Sequence, residues 1–259
     1  MGAVGRLRGA GGRVARRALQ RSLDGAVGAF NRNPWTSREL HLAGRSGAPV
    51  HDEDGLRTDH AHRFTDAPRY RRAYARAVRA GGFDYRVRWR THTILWAAET
   101  AARLDGAFVE CGTGKGFMVS AICEYLDWTD RPFYLFDTFR PSDSADTAPY
   151  YASGPDGVAA NFREWPGVRL VVGMVPDSFR EVTIDRVAFL HIDLNRAEPE
   201  EAAVRHFWPL LTRGAIMVFD DYGGSEAHAA SRDSADRLAA ELGFALLASP
   251  TGQGIAIKT

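Results

Sequence analysis

Beyond Gly106 the chain alternates five short apolar runs with helical stretches, and four of the five runs end in a carboxylate. The runs are Phe108–Glu110, Phe133–Phe136 leading into Asp137, Val168–Val172, Val187–Ile192 leading into Asp193, and Ala215–Phe219 leading into Asp220-Asp221. Alternation of this kind builds crossover units around a parallel sheet. Val187–Ile192, apolar nearly throughout, suits a strand buried on both faces. Helical patterns fill the gaps: Phe117–Trp128, a segment opened by the acids of Glu198-Pro199-Glu200-Glu201 with Val204, Phe207, Trp208 and Leu211 as its stripe, and one carrying Ala230, Leu238 and Leu242. Phe244–Ala248 and Ile255–Lys258 flank Pro250-Thr251-Gly252-Gln253-Gly254, which predicts a closing hairpin and an antiparallel edge. The expectation is an α/β chain with a seven-stranded, mostly parallel sheet over residues 105–259.

Upstream, two helices precede the sheet. Asp66-Ala67-Pro68 offers a cap and a first-turn proline for a helix carrying Tyr70, Tyr74 and Val78 and stopping at Gly81-Gly82. Trp89, Thr93, Trp96, Ala97 and Thr100 recur at helical steps up to Asp105-Gly106. Residues 47–104 therefore read as a helical lid region. Most aromatics there (Tyr70, Tyr74, Tyr85, Trp89, Trp96) fit a core by spacing, while some suit an acceptor wall. The polar 138–167 stretch, with Tyr150, Tyr151 and Asn161, competes for the lid role.

Composition narrows the partners. Thirty-three basic against 32 acidic residues leave a net charge of +1, so no global field favours nucleic acid or a membrane surface. Residues 1–46 hold nine arginines against Asp24 and Glu39, and read as a basic, flexible tail, because arginine is this chain's default cation; its lysines are Lys115 and Lys258. Two cysteines, Cys111 and Cys123, are too few for a disulfide framework and suit a reducing cytoplasm. No apolar stretch reaches the length of a membrane span.

In an open doubly wound sheet, ligands lie beyond the carboxyl ends of the strands. There the sequence places Glu110-Cys111-Gly112-Thr113-Gly114-Lys115-Gly116, Asp137-Thr138, Gly173-Met174, Asp193 and Asp220-Asp221. The glycines allow backbone N–H groups to approach a ligand, and Asp137 stands where a ribose diol would be met. A phosphate loop is excluded, because Lys115 precedes Gly116 rather than a Ser or Thr. Neither lysine lies a helical turn after a tyrosine, which removes the usual proton donor of a short-chain NAD(P)-dependent oxidoreductase. Zinc-ligand spacing is also missing. Glu110 ahead of the loop repels a pyrophosphate and suits a cationic amino-acid end, as in S-adenosylmethionine, whose adenine would lie against Gly173-Met174.

Phe108–Gly116 with Leu135-Phe136-Asp137-Thr138-Phe139 resembles the class I S-adenosylmethionine-dependent methyltransferases, which implies a Rossmann-like fold. Leu190–Glu200, Phe219–Gly223 and Pro250–Ile255 are similar to the macrocin O-methyltransferase family, which methylates sugar hydroxyls. The resemblance spans about residues 85–259. It implies cofactor contacts from Glu110, Gly112, Thr113, Gly114, Gly116, Asp137, Thr138, Gly173, Met174 and Asp193. It also implies a divalent ion, generally Mg²⁺, held by Asp193, Asp220 and Asp221. Three hard carboxylates on one rim suit such a cation. The plainer alternative has Asp220-Asp221 capping the next helix and Asp193 pairing with the cofactor's ammonium.

Related catechol-type enzymes use a lysine three residues beyond the fourth-strand aspartate as base; here that position is Arg196, which does not accept protons. His191, on the strand face of Asp193, and His228, after the fifth strand, are the candidate bases, with Asp193 itself a third. The expected function is O-methylation of a small hydroxylated acceptor, a sugar or other secondary metabolite, with homo-oligomerisation left open. A non-catalytic S-adenosylmethionine-binding protein and an NAD(P)-dependent oxidoreductase are the rivals.

Overall fold

The computed structural model describes residues 51–58, 60, 62–140, 154–224 and 228–259. The basic segment 1–46, together with Tyr150 and Tyr151, lies outside them. Residues 51–58 form a small hairpin, β1 (His51–Glu53) against β2 (Leu56–Thr58). Its two-residue turn, Asp54-Gly55, has φ of 53° and 73°, the double left-handed geometry for which Asp-Gly is suited.

Two helices follow. α1 (Pro68–Gly81) starts on a proline whose missing N–H costs nothing in the first turn, and stops where Gly82 takes a left-handed φ of 84°. α2 (Arg88–Ala101) buries Thr91, Ile94, Leu95 and Ala98. The main sheet then forms in the order β5-β4-β3-β6-β7-β9-β8, from β3 (Ala107–Cys111), β4 (Phe133–Asp137), β5 (Val168–Val172), β6 (Val187–Ile192), β7 (Leu211–Phe219), β8 (Leu247–Ala248) and β9 (Gly254–Ile257). All pairings from β5 to β7 are parallel; β9 is antiparallel to β7, and β8 to β9. The crossovers carry α3 (Phe117–Tyr125), α4 (Pro155–Ala160), α5 (Ala197–Phe207) and α6 (Ala229–Leu242). The expected seven-stranded, mostly parallel sheet with an antiparallel C-terminal hairpin is therefore present.

Each face of the sheet carries its own core. Phe108, Phe189, Ile216 and Val218 pack under α1, α2 and α3, while Val109, Leu190, Ile192, Met217 and Phe219 pack under α5 and α6. This is the period-two alternation of a strand covered on both sides. Each large side chain removed from water here, such as Ile94 or Phe207 at 0% exposure, contributes about 1.5–3 kcal/mol. The chain winds outward from β3 through β4 to β5, then returns to β6 and β7 on the other side, so order reverses at β3/β6. A crevice opens at that point, above the strands' carboxyl ends.

Several boundaries differ from expectation, among them β8, which is Leu247–Ala248 where Phe244–Ala248 is expected. α3 ends at Tyr125, three residues before Trp128. β7 begins at Leu211 rather than Ala215, because Gly214, at φ 88°, absorbs a register shift against β6. Residues 51–58 are extended, not helical. Among the described residues, no helix is long and apolar enough to cross a membrane.

Candidate active site

The loop after β3 is held against the end of β6. Gly112 has φ 88°, and a Cβ built there would lie 1.8 Å from the Asp193 carbonyl oxygen. Only glycine fits such an approach. The Gly112 N–H donates to the Phe136 carbonyl at 2.8 Å, and the Asp193 N–H to the Cys111 carbonyl at 2.8 Å. Asp137, ending β4, accepts from the N–H groups of Thr113 and Gly114, both at 2.8 Å on Oδ2, and from Phe139 N–H at 2.8 Å on Oδ1. Its carboxylate thus braces the glycine loop and the following turn while lining the cleft. Thr138 Oγ1 lies 3.5 Å from Asp137 Oδ1.

Beneath the loop, register places Glu110 of β3 beside His191 of β6. His191 is fully buried; its Nδ1 lies 2.8 Å from Glu110 Oε1, and its Nε2 3.4 Å from Asp220 Oδ1. Burial alone lowers the imidazole pKa, but hydrogen bonds and charge from Asp220 and Glu110 outweigh it and push it up to about 10. Burial likewise raises Glu110, against the pull of His191. Gln253, at 0% exposure, donates Nε2–H to Asp220 Oδ1 at 3.0 Å.

Asp220 extends β7; its N–H donates to the Ile192 carbonyl at 2.9 Å, setting it beside Asp193. One carboxylate oxygen from each of Asp193, Asp220 and Asp221 lies within 4.8 Å of the others. Burial and the neighbouring Asp220 raise Asp193 well above the ordinary carboxylate range. Asp220 goes the other way: burial opposes ionisation, yet the Arg90 guanidinium and His191 hold it low. Such a set of three hard carboxylates within reach of one another fits a divalent, oxygen-seeking ion.

A cation of the chain's own also stands there. Arg90 of α2 donates Nη1–H to Asp220 Oδ2 at 2.7 Å and to Asp221 Oδ1 at 3.0 Å. From its other edge, Nε–H reaches Asp54 Oδ2 at 3.0 Å in the β1–β2 turn. His228, just before α6, places Nε2 3.7 Å from Asp221 Oδ2, with its side chain 23% exposed. The cleft encloses about 430 Å³, and its lining includes Asp54, Tyr85, Arg90, the Gly112–Lys115 loop, Asp137, Asp193, Asp220 and Asp221.

The structure therefore brings together Glu110, Gly112, Thr113, Gly114, Asp137, Asp193, Asp220 and Asp221. Gly116 sits behind the loop, its α-carbon face against the Phe162 ring. Gly173 and Met174 end β5 outside the described lining, with Met174 59% exposed. His191, expected as a candidate base, is fully buried between Glu110 and Asp220 and is not among the residues lining the cleft, a position suited to holding the rim together. Asn161, considered for a lid, donates to the Lys115 and Ala80 carbonyls at 3.1 and 3.4 Å and anchors the glycine loop from behind. Sequence reasoning missed Arg90 and Asp54. The Asp54-Gly55 turn carried a hairpin signal; nothing local marked Arg90, whose partners lie 36 to 161 residues away.

Residues 109–222 match the family model described as a methyltransferase domain. No curated protein matches the chain. Among solved structures, the O-methyltransferase NovP aligns at a TM-score of 0.57 and 20% identity, covering 71% of this chain and 88% of that one. CalS11, a TDP-rhamnose 3'-O-methyltransferase of calicheamicin biosynthesis, aligns at a TM-score of 0.50 and 18% identity, covering 64% and 78%. These likenesses show the shared fold.

Proposed function

We propose that the chain is a class I S-adenosylmethionine-dependent methyltransferase and that it methylates a hydroxyl of a small cytoplasmic acceptor, a sugar or other secondary metabolite, with Mg²⁺ assistance; the matched methyltransferase domain and the shared fold support this reading. The observation that carries this reading is the convergence of the glycine loop and three aspartates on one cleft at the strands' carboxyl ends. NovP is an O-methyltransferase and CalS11 acts on a nucleotide-linked sugar, which supports the acceptor class.

Gly112, Thr113, Gly114 and Asp137 line the side suited to the cofactor's nucleoside. Glu110 lies on the cleft floor, and its Oε2 has no hydrogen-bond partner among the described residues, an acceptor suited to an ammonium. Gly116, Thr138, Gly173, Met174 and Asp193 complete the proposed cofactor surroundings. S-adenosylmethionine supplies a methyl group on a cationic sulfur. Asp193, Asp220 and Asp221 would hold Mg²⁺, which when bound lowers the pKa of a neighbouring hydroxyl.

The remaining work falls to the chain. Tyr85, Val87 and Arg90 from the 47–104 region line the cleft and would shield the acceptor from water. Buried His191 and Gln253 fix Asp220 from below. His228 stands beside Asp221 at the rim; it would take the acceptor proton on Nε2.

Calorimetric titration with S-adenosylhomocysteine and with NADH, followed by a methyl-transfer assay over hydroxylated acceptors with and without EDTA, tests the reading. Binding of S-adenosylhomocysteine and EDTA-sensitive transfer are expected. NADH binding in its place overturns the function, and transfer indifferent to EDTA overturns the metal.

A further inference from the structure

Arg90 is more deeply committed than a surface arginine on a helix. Its guanidinium donates to Asp54 through Nε and Nη2 at 3.0 and 3.2 Å, to the Asp220 carboxylate and carbonyl through Nη1 at 2.7 and 2.9 Å, to Asp221 Oδ1 at 3.0 Å, and to the Thr251 carbonyl at 3.1 Å. Three acids on two separate segments thus share one cation.

The oxygens that Arg90 holds are those the proposed metal site needs. Asp220 Oδ1 already faces His191 and Gln253, so Oδ2 is the oxygen left to point outward, and Arg90 occupies it. On Asp221, Arg90 takes Oδ1 while His228 stands 3.7 Å from Oδ2. A divalent ion entering among the three aspartates meets a guanidinium on two of them. Two cations on the same pair of oxygens repel strongly where water is scarce.

We propose that Arg90 is an internal competitor for the divalent ion: it holds Asp220 and Asp221 together when the ion is absent, and yields them when the ion binds. Because the same guanidinium grips Asp54, ion binding also loosens the tie between the β1–β2 hairpin and the strand ends. Arg90 is thus a positioning residue that couples metal loading to the wall of the cleft. This rests on the metal reading given above.

The test is Mn²⁺ binding, read from the free-ion electron paramagnetic resonance signal with S-adenosylhomocysteine saturating, in the wild type, Arg90→Lys and Arg90→Met. Bound S-adenosylhomocysteine reports that each variant is folded. Arg90→Met is expected to bind Mn²⁺ on the order of tenfold more tightly, within the range for coupled sites. Arg90→Lys, which keeps the charge and loses the fork, is expected to fall between. Amide exchange over residues 51–58 is expected to speed up on Mn²⁺ addition in the wild type and to ignore Mn²⁺ in Arg90→Met. Wild-type binding with equal or weaker binding in Arg90→Met overturns the competitor role and leaves the metal site standing. Absence of Mn²⁺ binding in all three proteins overturns both. Should Arg90→Met fail to bind S-adenosylhomocysteine, Arg90→Lys decides alone, with unchanged Mn²⁺ affinity and unchanged exchange counting against the proposal.

Discussion

Gln253 donates a side-chain N–H to Oδ1 of Asp220 across 3.0 Å, from a position with no solvent exposure. Donor and acceptor meet because β9 lies antiparallel beside β7, with Gly254 opposite Phe219. The bond sets which oxygen of Asp220 faces the cleft. Replacing Gln253 with leucine keeps the volume and removes the donor, while His191 still serves the same oxygen. The fold should lose about 1–3 kcal/mol, because the buried Asp220 oxygen keeps only the longer His191 contact. Methyl transfer, by contrast, should fall about 10- to 100-fold, as with other losses of a group that orients a ligand residue. Thermal unfolding and turnover measured on one preparation separate the two; a large stability loss with intact specific activity would show that the bond orients nothing.

His191→Leu should behave differently. The imidazolium stands between Glu110 and Asp220 with 1% side-chain exposure, so its removal leaves two buried carboxylates without their shared cation. Stranding buried charge costs about 3–5 kcal/mol. Urea denaturation should show a loss of that order, and turnover should fall only in proportion to the folded fraction plus any displacement of Asp220. A His191→Leu protein of wild-type stability would mean that the pair is neutral in the folded state.

The alternation of apolar runs and the acids that end them made the sheet and most of the rim legible in advance, because strand period and strand-end chemistry are local properties. What could not be read was register. His191 falls on a strand face by its spacing, but its partnership with Glu110 follows from how β6 aligns with β3, which no single segment encodes; with that alignment a candidate base becomes the buried partner of two carboxylates. Arg90 was invisible for the same reason, since on α2 it reads as one polar position among several until the fold sets it against Asp54 and Asp220. The Asp54-Gly55 turn is another matter: its two residues carry the hairpin signal, and the helical pattern downstream drew the whole region into one class.

Glu200 gives the fold a pH dependence away from the rim. It sits in the first turn of α5 at 7% exposure, and burial, outweighing the Ser231 hydrogen bond, raises its pKa from 4.5 to about 7. A carboxyl raised on folding binds its proton more tightly in the native state. Its contribution is therefore complete below pH 4.5 and is lost as pH climbs towards 7. The loss should reach at most about 3 kcal/mol. Glu200→Gln should flatten this part of the stability profile. Chemical denaturation of both proteins between pH 4.5 and 7 measures the difference, and parallel profiles would mean that Glu200 titrates normally.

Gly112→Ala tests the closest backbone approach in the cleft. The added methyl would have to occupy the space of the Asp193 carbonyl oxygen, 1.8 Å away, at a left-handed φ of 88°. The conformation alone costs about 1–2 kcal/mol for a residue with a Cβ, and the backbone collision adds about 1–3 kcal/mol. Neither side can move freely, because the Gly112 N–H is tied to Phe136 and the Asp193 N–H to Cys111, each at 2.8 Å. Relief would have to come from separating the ends of β3 and β6, which carries the glycine loop away from Asp193. The variant should unfold several degrees earlier and bind S-adenosylhomocysteine at least tenfold more weakly, the two losses appearing together in thermal melts with and without ligand. Full ligand stabilisation in Gly112→Ala would show that the loop and the fourth-strand aspartate do not need to touch for the cofactor to bind.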